Sequence, residues 1–123
     1  MIHLDTSFLV RALIPGTPEE VKLRRWVGEG EALIMSSVGW TEFLCGPLDV
    51  GDVELAERLV ERRWDFTPDQ AVVAACLFND SGRRRGTIID CMIGAAALAD
   101  GAPIATPNVA DFSRFAAAGL KTA

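Results

Sequence analysis

Short apolar runs alternate with segments of helical periodicity along the chain. Met1–Leu4, Ala32–Met35 and Pro103–Thr106 are short runs of strand length, and continuous apolar strands are typical of a parallel sheet covered on both faces. Leu120–Thr122 is a further candidate strand at the end of the chain. Between the strands, apolar positions recur every three or four residues, which indicates helices. The alternation predicts an α/β fold with a mostly parallel central sheet flanked by helices.

Several of the predicted helices have recognisable start signals. Thr17 and Thr67 each begin a capping box with proline at the next position, and Ser37 and Thr87 are predicted as N-caps. No linker or repeat interrupts the pattern, so residues 1–123 are interpreted as one domain. The predicted helices are Thr6–Ile14, Thr17–Gly28, Ser37–Gly46, Asp49–Arg63, Thr67–Phe78, Ile88–Ala99 and Asn108–Phe115.

Composition excludes disorder as the main state and restricts the mode of nucleic-acid binding. Half of the 123 residues are apolar and 24% are charged, which is enough to form a core. Lys and Arg number 12 and Asp and Glu 17, so the net charge is −5. Because a net negative chain does not attract nucleic acid by bulk charge, such a partner requires a local basic patch or bound cations.

The cysteines and the apolar runs predict a cytoplasmic protein without a membrane segment. Three cysteines, no Cys-x-x-Cys motif and a single His3 exclude a Cys/His zinc site and favour free, buried thiols in a reducing compartment. Asp5 interrupts the N-terminal apolar run, which argues against a signal peptide. The longest apolar run, Cys91–Ala99, is far shorter than a membrane span.

Four acidic residues fall where an open α/β sheet binds its ligands, beyond the carboxyl ends of the strands. Asp5 ends the first predicted strand, and Glu42 lies in the helix after the second. Asp90 lies in the first turn of the most apolar helix, and Asp111 follows the strand that ends at Thr106. Carboxylates near one point repel each other unless a cation neutralises them. Their oxygen ligands suit Mg²⁺ or Mn²⁺.

Three of these four acids also have a structural interpretation. Asp5 is a possible helix N-cap, Asp90 sits where an acid favours the helix dipole, and Asp111 is a helix-start acid if Asn108 is the cap. The apolar neighbours of Asp90 and Glu42 oppose a purely structural role. A charge among apolar side chains is costly unless it is paired or bound to metal.

Four segments, taken in order, carry a family resemblance. They are Leu4–Ser7 after the first strand, Thr41–Phe43, Ile89–Ala97 and Ala105–Phe112. Together they resemble the sequence motifs of the PIN-domain ribonucleases, and the span that they cover is most of the chain. The closest likeness is to the VapC-type toxins of bacterial and archaeal toxin–antitoxin pairs.

The resemblance implies a PIN-like fold and a Mg²⁺- or Mn²⁺-dependent endoribonuclease that leaves a 5′-phosphate and a 3′-hydroxyl. It also implies a homodimer and a cognate antitoxin that covers the active site. Thr106 matches a frequent hydroxyl of the family, in a position to contact phosphate or a metal ligand. Many members carry an acid where this chain has Asn108, so the fourth ligand is open between Asn108 and Asp111. The residues that map onto the family's acidic cluster are Asp5, Glu42, Asp90 and Asp111.

Two other functions compete with RNA hydrolysis. A non-catalytic PIN-like interaction domain has the same fold, but it has no need of Asp5, Glu42 and Asp90. A phosphorelay receiver domain has this length and an acidic pocket, but it requires paired acids after the first strand and a lysine after the last. Lys22 and Lys121 do not follow the strand that ends at Thr106.

Other conspicuous residues have two interpretations each. Arg83–Arg85 is either a solvated loop or part of an RNA path, and Arg11 either points at the mouth of the site or is an exposed helix residue. His3 is interpreted as a packed core residue rather than a base. Three tryptophans are interpreted as core or interface anchors rather than as stacking partners for bases: Trp26, Trp40 and Trp64.

Overall fold

The structure, a computed structural model, describes residues 1–123. The strands are β1 Ile2–Leu4, β2 Leu33–Ser36, β3 Arg62–Trp64 and β4 Ile104–Ala105. The helices are α1 Thr6–Ala12, α2 Pro18–Gly28, α3 Ser37–Leu44, α4 Val50–Leu59, α5 Pro68–Asp80, α6 Ile88–Ala99 and α7 Val109–Ser113. A 3₁₀ turn follows at Ala116–Ala118.

The sheet has four parallel strands in the order β3-β2-β1-β4. His3 in β1 lies opposite Ile34 in β2 and opposite Ile104 in β4, so β1 is central. Beyond β4, Thr122 forms an isolated parallel bridge with Ile104, which replaces the predicted terminal strand. The α/β fold with a parallel sheet flanked by helices is therefore confirmed.

Two apolar cores cover the sheet. The first joins residues of β1 and β2 to α1, α2 and α4, and Trp26 stacks on Phe8 within it. The second joins β4 to α5, α6 and α7. Parallel strands covered in this way have no solvent-facing side, which explains why β1, β2 and β4 are continuous apolar runs in the sequence.

Strand β3 is the main element that the sequence pattern does not reveal. The helix predicted over Asp49–Arg63 ends at Leu59, and Val60 adopts an extended backbone. Arg62 then pairs with Ile34 in β2. Because β3 is an edge strand with exposed Arg62 and Arg63, it lacks the apolar run of a buried strand, and its charges continue the polar pattern of the helix before it.

The two predicted capping boxes differ in the structure. Thr67 forms the full reciprocal box with Gln70. The Thr17 hydroxyl accepts from the backbone N–H of Glu20 at 3.1 Å, but the Glu20 carboxylate pairs with Arg24 instead of closing the box. A glutamate in the first turn of a helix can pair with an arginine four residues later instead of bonding to the N-cap backbone N–H.

The two predicted N-caps have different outcomes: the N-cap of α3 lies one residue earlier than predicted, and Thr87 occupies the N-cap position of α6 without the side-chain bond. The side chain that caps α3 is Ser36, whose Oγ accepts from Val38 at 3.2 Å, while the Ser37 Oγ accepts from Phe66 at 3.2 Å. Thr87 precedes α6, but its hydroxyl donates back to the carbonyl of Arg84 at 2.7 Å and makes no cap bond. Short hydroxyl side chains compete in this way for nearby backbone groups.

The thiols are free, but only one of them is buried. Cys91 lies in the core of α6, whereas Cys45 and Cys76 are exposed. The prediction of buried thiols is therefore wrong for two of the three. Both exposed cysteines lie on or directly after amphipathic helices, α5 and α3, where apolar content alone does not decide which face is covered.

Helix α6 has a heavily buried, small-residue segment. Its 12 residues include the buried Ala95, Ala96 and Ala97. A Cβ atom at Gly94 would lie 3.2 Å from Cδ2 of Phe115, so the absence of a side chain lets the segment after α7 approach α6. None of the helices combines the length and the apolar character that crossing a membrane requires.

Candidate active site

The site is built on the two neighbouring strands β1 and β4. Leu4 and Ala105 are register partners, so the residues that follow them, Asp5 and Thr106, emerge side by side at the carboxyl edge of the sheet. The Thr106 Oγ1 donates to Asp5 Oδ2 at 2.8 Å. The same oxygen of Thr106 accepts from the backbone N–H of Asn108 at 3.0 Å. The threonine therefore fixes both the carboxylate and the loop after β4.

The structure does not support the capping interpretation of Asp5. Asp5 occupies the N-cap position of α1, yet its side chain makes no cap hydrogen bond. Only 2% of the residue is exposed. Burial of a carboxylate is costly unless a partner or cation compensates for it, so its retention here points to a use other than helix initiation.

Helix α6 brings Asp90 to the same edge. At the end of α6, Asp100 contacts His3 in β1, with 2.5 Å between Oδ2 and Nε2. The start of the helix lies toward Asp5, because the charge of Asp90 acts on the Asp5 carboxyl. Helix α6 therefore runs antiparallel to β1 and directs its first turn, with the half-buried Asp90, at the carboxyl ends of the strands.

Close packing of α3 brings Glu42 near these acids. The Thr6 Oγ1 donates to the carbonyl of Gly39 at 3.1 Å. A Cβ atom at Gly39 would lie 3.3 Å from Cε of Met35 and 3.6 Å from Cδ1 of Ile93. The glycine thus allows α3 to pack against both α1 and α6, and Glu42 follows it on the exposed side of α3.

The carboxylates act on one another electrostatically. Desolvation by burial raises the pKa of Asp5 from 3.8 to about 6, with further increases from Asp90 and Glu42 that the Thr106 hydrogen bond partly offsets. Desolvation also raises the pKa of Asp90, and the charges of Asp111 and Glu42 raise it further. Each of the four predicted acids is thus coupled electrostatically to at least one of the others. This mutual effect is expected of carboxylates that share a site.

The loop after β4 contributes Asn108 and Asp111 differently. Asn108 is at the N-cap position of α7 without a side-chain cap bond, so the predicted capping role is wrong for its side chain. Its Nδ2 lies 3.4 Å from Oγ of Ser7. Asp111 lies in the first turn of α7 and is exposed. Its charge raises the pKa of Asp90.

Arg114 is a neighbour of the site that sequence reasoning missed. Its Nε donates to the carbonyl of Asp111 at 2.8 Å, and its charge lowers the pKa of Asp90. The Nη1 atom is buried and has no hydrogen-bond partner. The available signal was the spacing of an acid and a base three residues apart, which places them on one face of a helical turn.

The donor set fits a hard divalent cation, although the carboxylates do not close on a single point. No three His, Cys, Asp or Glu side chains are arranged so that they would hold a metal ion without rearrangement. The chemistry still matches, because the converging groups are carboxylates and a hydroxyl, the ligands of Mg²⁺ and Mn²⁺. A cation would also relieve the repulsion that raises the pKa of Asp5 and Asp90.

The remaining singled-out residues lie outside this cluster. His3 is buried, contacts Trp64 edge-on and binds Asp100, which agrees with a packed core residue. The Nε of Arg11 pairs with Glu19 at 2.8 Å, which commits that arginine to a contact between α1 and α2. Trp40 packs on Phe43. The guanidinium carbon of Arg63 lies over the Trp40 ring, 4.7 Å from the ring centroid.

Comparison with known proteins gives a consistent answer for the fold and the family. The chain is similar in structure to FitAcB from Neisseria gonorrhoeae, with a TM-score of 0.71 and 22% identity over 99% of this chain and 96% of that one. VapBC-1 from nontypeable Haemophilus influenzae gives a TM-score of 0.73 and 20% identity over 100% and 97%.

VapBC2 from Rickettsia felis, bound to a DNA fragment from their promoter, gives a TM-score of 0.72 and 19% identity over 93% and 92%. At these identities the likeness shows a shared fold. No curated protein sequence matches the chain. The model of the PIN domain family matches residues 2–118, and because this is nearly the whole chain, the protein belongs to the PIN domain family.

Proposed function

We propose that this protein is a metal-dependent endoribonuclease and the toxin of a toxin–antitoxin pair. The observation that carries the proposal is the buried Asp5, which has no capping role and shares the carboxyl edge of the sheet with three other acids. Two structures similar to it are named as a toxin–antitoxin complex from Klebsiella pneumoniae and as a member of the VapBC family of toxin–antitoxin systems from Mycobacterium tuberculosis, which supports the second half of the proposal. The proposed metal ligands are Asp5, Glu42, Asp90 and Asp111.

The metal and the protein have separate tasks in this proposal. A bound Mg²⁺ or Mn²⁺ supplies an activated water and charge neutralisation for phosphodiester hydrolysis. Thr106 orients Asp5 through the 2.8 Å hydrogen bond, and Asn108 tethers the loop after β4 through its backbone N–H. Arg114 fixes the carbonyl of Asp111 and balances part of the negative charge around Asp90.

Purified protein is expected to cleave structured RNA in Mn²⁺ or Mg²⁺ and to be inactive in EDTA. Product ends are diagnostic, because attack by water with loss of the 3′-oxygen leaves a 5′-phosphate that a ligase accepts, whereas attack by the ribose 2′-hydroxyl leaves a 2′,3′-cyclic phosphate. Asp90→Asn is the matched negative control, since it removes one ligand charge and keeps the side-chain shape. Equal cleavage by Asp90→Asn alone would remove Asp90 from the metal site, and equal cleavage by both Asp90→Asn and Asp5→Asn would trace the activity to a contaminant. No cleavage of any RNA by wild type would favour the non-catalytic interaction domain.

The fourth ligand is assigned to Asp111 rather than Asn108. Asp111→Asn is expected to weaken Mn²⁺ binding by at least about tenfold. Loss of a residue that only orients a metal ligand already weakens metal binding by about tenfold or more, and loss of a ligand is expected to cost at least as much. Asn108→Ala is expected to cost less, since the Asn108 amide makes one long contact with Ser7. Asn108→Asp is expected to keep activity and tighten binding by adding an anionic ligand. Titration calorimetry of the three variants tests this. Normal binding by Asp111→Asn with none by Asn108→Ala would reverse the assignment.

The same proposal includes a homodimer and a cognate antitoxin. A shallow groove of about 360 Å³ adjoins the acids, and an apolar surface beside charged groups suits a protein partner. The acids themselves suit an antitoxin that presents an arginine, because carboxylates bind guanidinium groups strongly. Sedimentation at micromolar concentration is expected to show a dimer, and a monomer at every concentration would contradict it. The groove residues are Val38, Thr41, Glu42, Cys45 and Ile89.

A further inference from the structure

The loop between α5 and α6 has an ordered backbone. At its start, the N–H of Arg83 bonds to the carbonyl of Phe78 at 2.9 Å, and Gly82 has a positive φ of 96°. These are the features of a Schellman C-cap. At its end, Thr87 binds the carbonyl of Arg84 through both its hydroxyl and its N–H. The loop backbone is therefore fixed at both ends.

The three arginine side chains of this loop are free, in contrast to the arginines of α1 and α2. Arg11, Arg24 and Arg25 each lie within ion-pair distance of a glutamate. None of the guanidinium groups of Arg83–Arg85 makes a hydrogen bond, an ion pair or an aromatic contact within the chain, and all three residues are exposed. Arg83 is the one non-glycine residue with a positive φ, 54°. The loop thus holds three adjacent positive charges without internal partners.

The position of the loop connects it to the acids. Arg85 lies a short way ahead of α6, and α6 begins at the carboxyl edge of the sheet with Asp90 in its first turn. Three extended residues span about 11 Å and the Cα atoms of residues two apart in a helix are about 5 Å apart, so the Cα atoms of Arg85 and Asp90 are at most about 16 Å apart. A polyanion bound at the acids would pass within reach of the arginine side chains.

We propose that the Arg83–Arg85 loop binds the phosphate backbone of the single-stranded RNA next to the cleaved bond. This rests on the proposed nuclease function. The four carboxylates repel RNA wherever a cation does not neutralise them, and the net charge of −5 gives no bulk attraction. The loop supplies the local positive charge that is missing. Its fixed backbone lowers the entropic cost of binding, because only side chains must become ordered.

The test compares two variants that remove the same charge from different places. Arg83→Gln/Arg84→Gln/Arg85→Gln removes the loop charges, and Lys22→Gln/Arg24→Gln/Arg25→Gln removes three charges from α2. Binding of a fluorescent single-stranded RNA is measured by anisotropy in Mg²⁺ between 50 and 200 mM salt. Both variants are made in an Asp5→Asn background, which prevents cleavage during the measurement. Matching melting temperatures show that the loop variant is folded.

The loop variant is expected to bind at least about 20-fold more weakly than its Asp5→Asn parent at the lowest salt, with a salt slope smaller by about 2, because each lost phosphate contact to a single strand removes about 0.7. The advantage of the parent then shrinks about 20-fold across that salt range. The α2 variant is expected to behave like the parent. Arg83→Lys/Arg84→Lys/Arg85→Lys is expected to retain the slope, since it retains the charge.

Two outcomes overturn the proposal. One is equal affinity and slope for the loop and α2 variants. The other is a loop variant that loses duplex DNA binding but keeps RNA binding, which would assign the loop to DNA. A different measurement tests the nuclease proposal: it fails if protein with an intact Asp5 cleaves no RNA in Mn²⁺, whatever the loop variants bind.

Discussion

Asp5→Asn is expected to abolish RNA cleavage while making the metal-free protein more stable at pH 7. The loss of activity is expected to exceed about 100-fold, the upper range for residues that only orient a ligand. The gain in stability follows from desolvation, because the wild-type carboxylate is charged at pH 7 in a place where 2% of the residue is exposed. Asparagine keeps an oxygen for the Thr106 hydroxyl without that charge.

The pH dependence gives the expected gain its sign and size. The pKa of Asp5 rises from 3.8 to about 6 on folding, so the folded state binds more protons than the unfolded state between these values. Stability of the wild type therefore falls as pH rises through this window, and it loses about 3 kcal/mol by pH 7. Asp5→Asn removes this loss at neutral pH, and its advantage disappears below about pH 4.

Denaturant unfolding in EDTA at pH 4, 5.5 and 7 measures the effect. Asp65→Asn is the matched control, because Asp65 also follows a strand of the same sheet but is exposed. It is expected to leave both stability and cleavage unchanged. A destabilised Asp5→Asn protein at pH 7 would restore the structural interpretation of Asp5, and full activity of that variant would remove it from the metal site.

Divalent cations are expected to stabilise the wild type by several degrees or more. A ligand of the folded state at a hundred times its dissociation constant contributes about 2.7 kcal/mol. For a chain of this length that raises the melting temperature by roughly 10 °C. The shift is expected to shrink toward pH 5, because protons then compete with the cation for Asp5. Differential scanning calorimetry with Mg²⁺, Mn²⁺ and EDTA provides the measurement.

The variants make this second prediction specific. Asp5→Asn and Asp90→Asn are expected to lose most of the cation-induced shift, whereas Asp65→Asn retains it. A general salt effect would instead shift all of these proteins equally. The absence of any shift in the wild type at high millimolar Mn²⁺ would contradict the metal-site proposal, while leaving the family assignment intact.

The sequence predicted the buried strands and the order of helices because both leave a strong periodic signal. β1, β2 and β4 are apolar runs covered on both faces, and α5 and α6 begin and end close to the predicted positions. β3 was missed because an exposed edge strand carries charges on its outer positions and has no such run. The N-cap of α3 is Ser36 rather than Ser37, and the Thr87 side chain makes no cap bond at the N-cap position of α6. Both differences arise because the alternative hydrogen-bond partners are set by the folded chain.

The candidate site was predictable in its acids but not in their surroundings. Asp5, Glu42, Asp90 and Asp111 stand out because of where they fall relative to strands and apolar helices. That Thr106 binds Asp5 follows from the pairing of β1 with β4, which no local pattern specifies. Arg114 was missed because its relation to Asp90 depends on how α7 packs against α6.

The close approach at Gly94 has a consequence for how this protein tolerates sequence change. A methyl group there would lie 3.2 Å from the Phe115 ring, so a larger residue at 94 requires the Phe115 ring to shift by a few tenths of an ångström. Substitutions at the two positions are therefore coupled rather than additive. Phe115 directly follows Arg114, whose charge acts on Asp90, so a change at this buried contact is expected to displace Arg114 as well. A larger residue at a glycine that carries no charge is therefore expected to alter the charge balance around Asp90.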